Sequence, residues 1–334
     1  MIVGNKKSNI PNIYFHFCPD FGSTSRSPKL TKGTLERLFI MDKVLEQTFS
    51  VILRAGRTDD ALPCGTILYQ GFRAIAEQHG LAPDFPSAEF GAAMLTEILA
   101  DPAVYSVVAE ASDGRVIGSN FLWEGDTIAG VGPTTVDPAA QNRSVGRRLM
   151  EDVLQRAREK RYAGVRLVQA AHNSRSLSLY TKLGFDVREP LANFEGKPLS
   201  LTIPGRSVRL MTEADLAVCN QLCDRIHGHD RAGELKAAIG RGTAMLVECD
   251  GRVSGYTSEI GFFGHAVAEN NEDLKALIAA APASAELGFY VPMRNADLFR
   301  WCLNHGLRVT QTATLMSLGL YNEPAGAFLP SVLY

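Results

Sequence analysis

The chain has 334 residues, 46% apolar and 21% charged, the balance of a folded globular protein of about two domains rather than a disordered one. With 34 basic residues against 36 acidic, its net charge of −2 lacks the basic excess of a protein that coats nucleic acid or an anionic membrane. No run approaches the roughly 20 apolar residues of a membrane-spanning helix, and six cysteines without a CxxC pair exclude a disulfide scaffold and point to a reducing, cytoplasmic setting.

Residues 1–48 read as an extension. A short apolar patch there is broken by Pro11, Asn12 and His16, unlike a secretory signal, and residues 22–33 are polar and rich in glycine, serine and lysine. Met41 precedes the first strand, so residues 1–40 are expected to be dispensable. A strand near 50–54 leads into helical stretches between 60 and 100. Apolar alternating runs on either side of Asp113-Gly114 predict a hairpin over 107–123. One strand is expected near 128–136, then a helix over 144–161 whose Val145, Leu149, Val153 and Ala157 form one stripe. An apolar strand at 165–169, a helix over 174–183 ended by Gly184 in the left-handed position, and a strand near Phe185 close this unit. Strands followed by helices imply an α/β or α+β sheet with helices covering it.

The pattern then recurs. Arg54 to Asp60 is echoed by Arg209 to Asp215, and Asp113-Gly114-Arg115-Val116 by Asp250-Gly251-Arg252-Val253. Leu183-Gly184-Phe185 finds a weaker echo in His305-Gly306-Leu307, and between hairpin and final glycine the second copy is 15 residues shorter.

The segment that carries chemistry runs from Val136 through Asp137-Pro138 and a polar loop into the helix containing Gly146 and Arg147. Free amides and the dipole at a helix start make a seat for a phosphate or pyrophosphate, and Gly146 permits close approach of a ligand to the backbone. Residues 141–166 carry eight basic side chains against three acidic ones, so the local field favours an anion. This segment, as Gln141-x-x-Ser144-x-Gly146, resembles the acetyl-CoA-binding motif of the GNAT (GCN5-related N-acetyltransferase) superfamily. The family's later motif is matched by Asn173 and by Leu179-Tyr180-Thr181-Lys182-Leu183-Gly184-Phe185. The resemblance covers residues 50–198 well and 205–320 more weakly.

The resemblance implies a mixed central sheet flanked by helices, the acyl-CoA N-acyltransferase fold, present twice. The expected boundaries are an extension over 1–48, a catalytic domain over 49–198 and a degenerate second domain over 205–334. The implied co-substrate is acetyl-CoA, without a metal, and the implied acceptor is a primary amine of a small molecule, peptide or protein. Thr134 and Val136 would grip the pantetheine, and Gln141, Asn142, Arg143, Ser144, Val145, Gly146 and Arg147 would hold the pyrophosphate. Asn173 would touch the pantetheine arm, and Tyr180 would be the general acid toward the leaving sulfur. Ser144 departs from the family pattern, which has glycine there; if its φ is positive, serine costs about 1 kcal/mol. A non-catalytic acyl-CoA sensor, or transfer of another acyl group or to another acceptor, is the alternative.

Glu124, Asp126, Asp137 and His172 are candidates for the base, each also readable as a turn residue, cap or solvated charge. Tyr69, Phe72, Phe85 and Phe90 are candidates for a pocket wall or for helix packing. In the second half Glu269, Glu272 and Asp273 surround the helix start that answers to the phosphate seat, so that seat is expected to be closed; Cys302 stands near the place of Tyr180. Cys219 and Cys223 read as buried apolar side chains, and His227-Gly228-His229 lacks the partners of a metal site. The apolar stretch 313–334 is expected to add a strand and to dock on the body or on a neighbouring subunit, which leaves a homodimer open.

Overall fold

The computed structural model describes residues 50–199, 201–282 and 287–333. The extension over 1–48 and Met41 lie outside them.

Strand β1 (Val51–Ala55) pairs antiparallel with β2 (Val104–Ala111), which forms the expected hairpin with β3 (Val116–Trp123). Helices α1 (Ala61–Gln78) and α2 (Ala88–Ala100) fill the intervening chain. They cross so closely that a Cβ on Gly65 would lie 2.3 Å from the Ala92 nitrogen, a contact only glycine permits. The strand expected near 128–136 is two strands. β4 (Ile128–Val131) ends at Gly132-Pro133, whose proline has no N–H for a ladder, and β5 (Thr135–Val136) re-pairs with β3. Helix α3 (Val145–Glu159), β6 (Gly164–Ala170), α4 (Ser174–Lys182) and β7 (Asp186–Glu195) follow as expected, with Gly184 at φ 97°.

The second half repeats this order: β8 (Ser207–Leu210), α5 (Leu216–His227), α6 (Ala232–Arg241), β9 (Met245–Cys249), β10 (Arg252–Thr257), β11 (Ala266–Ala268), α7 (Asn271–Ala280), β12 (Phe289–Pro292), α8 (Ala296–Asn304) and β13 (Arg308–Gly319). The repeated Arg–Asp spacing is a repeated ion pair. Arg54 binds Asp60 through two bonds of 2.7 and 2.8 Å, and Arg209 binds Asp215 through two of 2.9 and 2.8 Å. Each arginine also takes a carboxylate from the neighbouring strand, Glu110 or Glu248.

The closing strand of the first unit departs from simple chain order. β7 does not close the first unit against β6. β13 lies between them, antiparallel to both, with Ala313 opposite Ala170 on one side and Leu191 on the other, while β12 pairs with β7. The last strand of each half thus lies against the other half, giving the sheet order β1-β2-β3-β4-β6-β13-β7-β12. The physical reason is in β7 itself, where Leu191, Ala192, Asn193 and Phe194 are buried in succession, so both faces are covered and a mobile edge position would waste them. The C-terminal stretch supplies β14 (Ala327–Leu329), which pairs with β11 in a second sheet ordered β14-β11-β10-β9-β8, so it docks on the body of its own chain. Cys219 and Cys223 are wholly buried beside Leu222, Leu246 and Tyr256. Among the described residues, no helix is long and apolar enough to cross a membrane.

Candidate active site

β4 and β6 run parallel from Ile128 opposite Gly164 to Gly130 opposite Arg166 and then part. β5 swings toward β3, whereas β6 continues to Ala170 under the cover of β13. The wedge between the diverging strands opens into a cavity of about 540 Å³. Thr134, Val136 and Gln141 line one wall, and Gln169, Asn173 and Tyr180 the other.

At the mouth of the wedge, Asp137 accepts from the Ala139 amide (2.8 Å) and binds Arg115 (2.6 Å), fixing the turn that leaves β5. Asn142 and Ser144 both have positive φ, 63° and 60°, so the chain coils sharply before α3. Successive turns of this kind point backbone N–H groups into a concave nest for anions. The Ser144 side chain makes no cap bond to α3, and the helix has no acidic residue in its first turn. Its positive end is therefore left to an anion from outside. A Cβ on Gly146 would meet only Val136 and Leu179, at 3.5 and 3.8 Å, so the glycine leaves a bare surface over the helix start. Gln141 braces the loop: its Nε2 donates to the Val136 carbonyl (3.4 Å) and its Oε1 accepts from Arg175 (2.6 Å). Val145 buries its side chain, leaving only its backbone to the loop, and Arg147 lies 3.6 Å from Glu151. These features fit a diphosphate.

The corresponding place in the second half does not. There Asn270 accepts from the amides of Glu272 (3.0 Å) and Asp273 (3.2 Å), closing the start of α7 with its own side chain. Asp273, fully buried, binds Arg206 and accepts from Ser254 (2.9 Å). Cys302 is part of the apolar core.

Deeper in the cavity, the Tyr180 ring is buried and burial raises its phenol, with the Thr134 hydroxyl beside it lowering it in part. Thr134 Oγ1 donates to Asn120 Oδ1 at 2.8 Å. Asn173 caps α4 by accepting from the Ser176 amide (3.1 Å), so it faces the wedge from a fixed position. Of the four carboxylate or imidazole candidates, three have structural partners. Glu124 is held by Arg156 through two bonds of 2.6 and 3.0 Å, Asp126 accepts from the amides of Gly233 and Glu234 at the start of α6, and Asp137 fixes its turn. His172 alone among them lines the cavity.

Beside His172 lies a carboxylate that sequence reasoning missed. Asp84, half-buried between Pro83 and Phe85 in the α1–α2 connection, also lines the cavity. Burial raises its carboxyl, and His172 and a hydrogen bond with Gln311 hold it down in part. Burial likewise pushes the His172 imidazole below its usual range, Asp84 pulls it back up, and His79, with its ring 5.1 Å away, lowers it further. Of the four aromatic candidates, Phe72 and Phe85 line the cavity and meet edge to face at 5.1 Å. Phe90 packs behind Phe85, and Tyr69 faces Arg73. Among the described residues no group of three or more His, Cys, Asp or Glu side chains could hold a metal.

Residues 72–185 match the model of the acetyltransferase (GNAT) family. An IAA acetyltransferase of Azospirillum brasilense is 31% identical over 121 residues, 35% of this chain and 78% of its own. The solved structure of a GCN5-related N-acetyltransferase from Sphaerobacter thermophilus aligns with a TM-score of 0.56 at 14% identity, over 83% of this chain and 98% of that one. A tandem GNAT protein from the clavulanic acid biosynthesis pathway aligns with a TM-score of 0.50 at 14% identity, over 81% and 98%.

Proposed function

The chain belongs to the GNAT acetyltransferase family, and we propose that it moves the acetyl group of acetyl-CoA directly onto a primary amine, with the chemistry in residues 49–198 and the acceptor site completed by residues 205–334. The observation that carries this reading is the uncapped start of α3 at the mouth of the β4–β6 wedge. Acetyl-CoA supplies an activated thioester. The amides at the start of α3, with the positive-φ backbone of Asn142 and Ser144, seat its diphosphate, and Arg143 and Arg147 add positive field. Backbone groups at Thr134, between β4 and β5, and at Val136 hold the pantetheine and polarise the thioester carbonyl, and Asn173 reaches its arm.

An amine attacks only when neutral. His172, held below its ordinary range and so uncharged at neutral pH, accepts the ammonium proton directly or through water. The nitrogen then forms the C–N bond, the C–S bond breaks, and the nitrogen, cationic after attack, sheds its second proton through water to restore the phenol of Tyr180 as the amide forms. Tyr180 gives its phenol proton to the departing thiolate, which leaves as the thiol; burial keeps that phenol protonated until it is needed. Titration calorimetry with coenzyme A should find one site per chain, because α7 is closed by Asn270 and Asp273. Thiol release with an amine panel should show turnover, and Tyr180→Phe should lower kcat by about 100-fold or more with coenzyme A binding unchanged. No heat of binding would sink the donor assignment, two sites would sink the closed second seat, and binding without turnover would favour the sensor.

A further inference from the structure

The acceptor's class is written in the far wall of the same cavity, and this inference rests on the acetyl-transfer reading above. Both halves build that wall. Phe72 and Phe85 come from the first, and Phe262, Phe263 and Tyr290 from the second, with Phe262 in ring contact with Phe263 at 5.3 Å and with Tyr290 at 5.4 Å. The segment after β14 closes one side, where the Val332 amide donates to the Phe262 carbonyl (2.8 Å). Two of the lining side chains, Leu81 and Phe263, are apolar yet 38% and 39% exposed. Their apolar surface would leave water only when a ligand with an apolar body sits against it.

Charge narrows the class. The described residues that line the cavity include no lysine or arginine, and its carboxylates are Asp84 and Glu195. A carboxylate or phosphate on the acceptor would therefore enter an apolar cavity without a cation to meet it, which is costly. One ammonium group is welcome, because Asp84 stands beside His172, where the proton must go.

We propose that the acceptor is an amphiphilic primary amine, an arylalkyl- or alkylamine free of carboxylate and phosphate, with its ammonium held by Asp84 and its apolar body between the aromatic side chains of the two halves. Asp84 binds and orients the ammonium, and its carboxylate favours the charged amine until His172 takes the proton. The reaction is the one already balanced above, with the amide of this amine and free thiol as products.

The test measures thiol release by the full chain with acetyl-CoA and four probes: 2-phenylethylamine, phenylalanine, spermidine and a lysine-containing peptide. Turnover of 2-phenylethylamine with kcat/KM at least tenfold above the other three is expected. Asp84→Asn should lower that value at least tenfold, mostly through KM, with the calorimetric coenzyme A constant unchanged, and Asp84→Glu should restore part of it. Phe263→Ala should cost several-fold more with 2-phenylethylamine than with propylamine. Equal or better use of phenylalanine, spermidine or the peptide overturns the proposal and leaves acetyl transfer standing, as does an unaffected Asp84→Asn enzyme. Coenzyme A binding without turnover of any probe overturns it too, and absence of coenzyme A binding overturns the donor reading with it.

Discussion

Ser144 sits at φ 60°, in a region where an L-residue's Cβ crowds the following carbonyl and glycine does not. The strain anticipated from its departure from the motif is therefore present. Ser144→Gly should raise stability by about 0.5–1 kcal/mol, less whatever glycine loses to unfolded-state entropy, read from urea denaturation. The same variant decides what the hydroxyl does: an unchanged coenzyme A constant makes it a bystander, and a several-fold weaker one makes it a phosphate donor. The pH profile tests His172. Its imidazole accepts a proton only when neutral, burial places that transition below 6.5, and Asp84 and His79 are the titratable groups acting on it, with Tyr290 beyond Asp84. kcat/KM should thus hold level through neutrality and fall only as pH drops further below 6.5, and His172→Gln should lower the plateau and abolish that limb. A limb that survives His172→Gln assigns the proton to another group. His172 was readable because it ends a strand beside a recognised motif. Asp84 was not, because its partners His172 and Gln311 are 88 and 227 positions away in the chain, and only the fold brings them together.

The starts of α3 and α7 show how one element serves two ends. Both follow a strand of the central repeat and both expose amides, yet α3 leaves its positive end open whereas α7 answers its own with Asn270 and a buried Asp273. The acidic residues around α7 were legible as a mark against phosphate. Arg206, which neutralises Asp273 from before β8, was not, since 67 residues separate them. Asp273→Ala would strand the Arg206 guanidinium and Ser254 and open a void under α7. A loss of about 3–5 kcal/mol in denaturant unfolding is expected, without gain of a second coenzyme A site, because Asn270 still caps the helix. A loss below about 1 kcal/mol would mean that water replaces the carboxylate there. The break between β4 and β5 was hidden for a different reason. β-compatible residues stand on both sides of Gly132-Pro133, so the segment can be taken for one strand, although the proline, which has no N–H for a ladder, marks where backbone pairing makes two.

At the scale of the molecule, the recurrence of motifs suggests two domains laid end to end, and element order does recur, but the pairing of strands is shared. Which strand lies beside which is fixed by contacts between residues more than 100 positions apart, such as Ala313 with Ala170, and no local pattern encodes them. The exchange has a functional consequence, because β13 covers the end of β6 and carries Thr310 and Gln311 into the wedge, so the cavity has no complete wall without the second half. It also has a thermodynamic one. A chain of residues 50–198 alone would leave β6 with one unpaired edge and β7 with both edges unpaired, and the buried Leu191, Ala192, Asn193 and Phe194 would lose the cover of β12 and β13. Unless β7 slides over to β6, that apolar surface faces water. Expressed separately, residues 50–198 and 205–334 should each lack a cooperative thermal transition and show dispersed amide resonances only when combined. Coenzyme A binding should return with the mixture, since the seat at α3 is intact in the first half but the wedge behind it is not. A sharp melt of residues 50–198 alone, with full coenzyme A affinity, would show that β7 can pair with β6 after all and that the exchange is a consequence of tethering rather than a requirement of the fold.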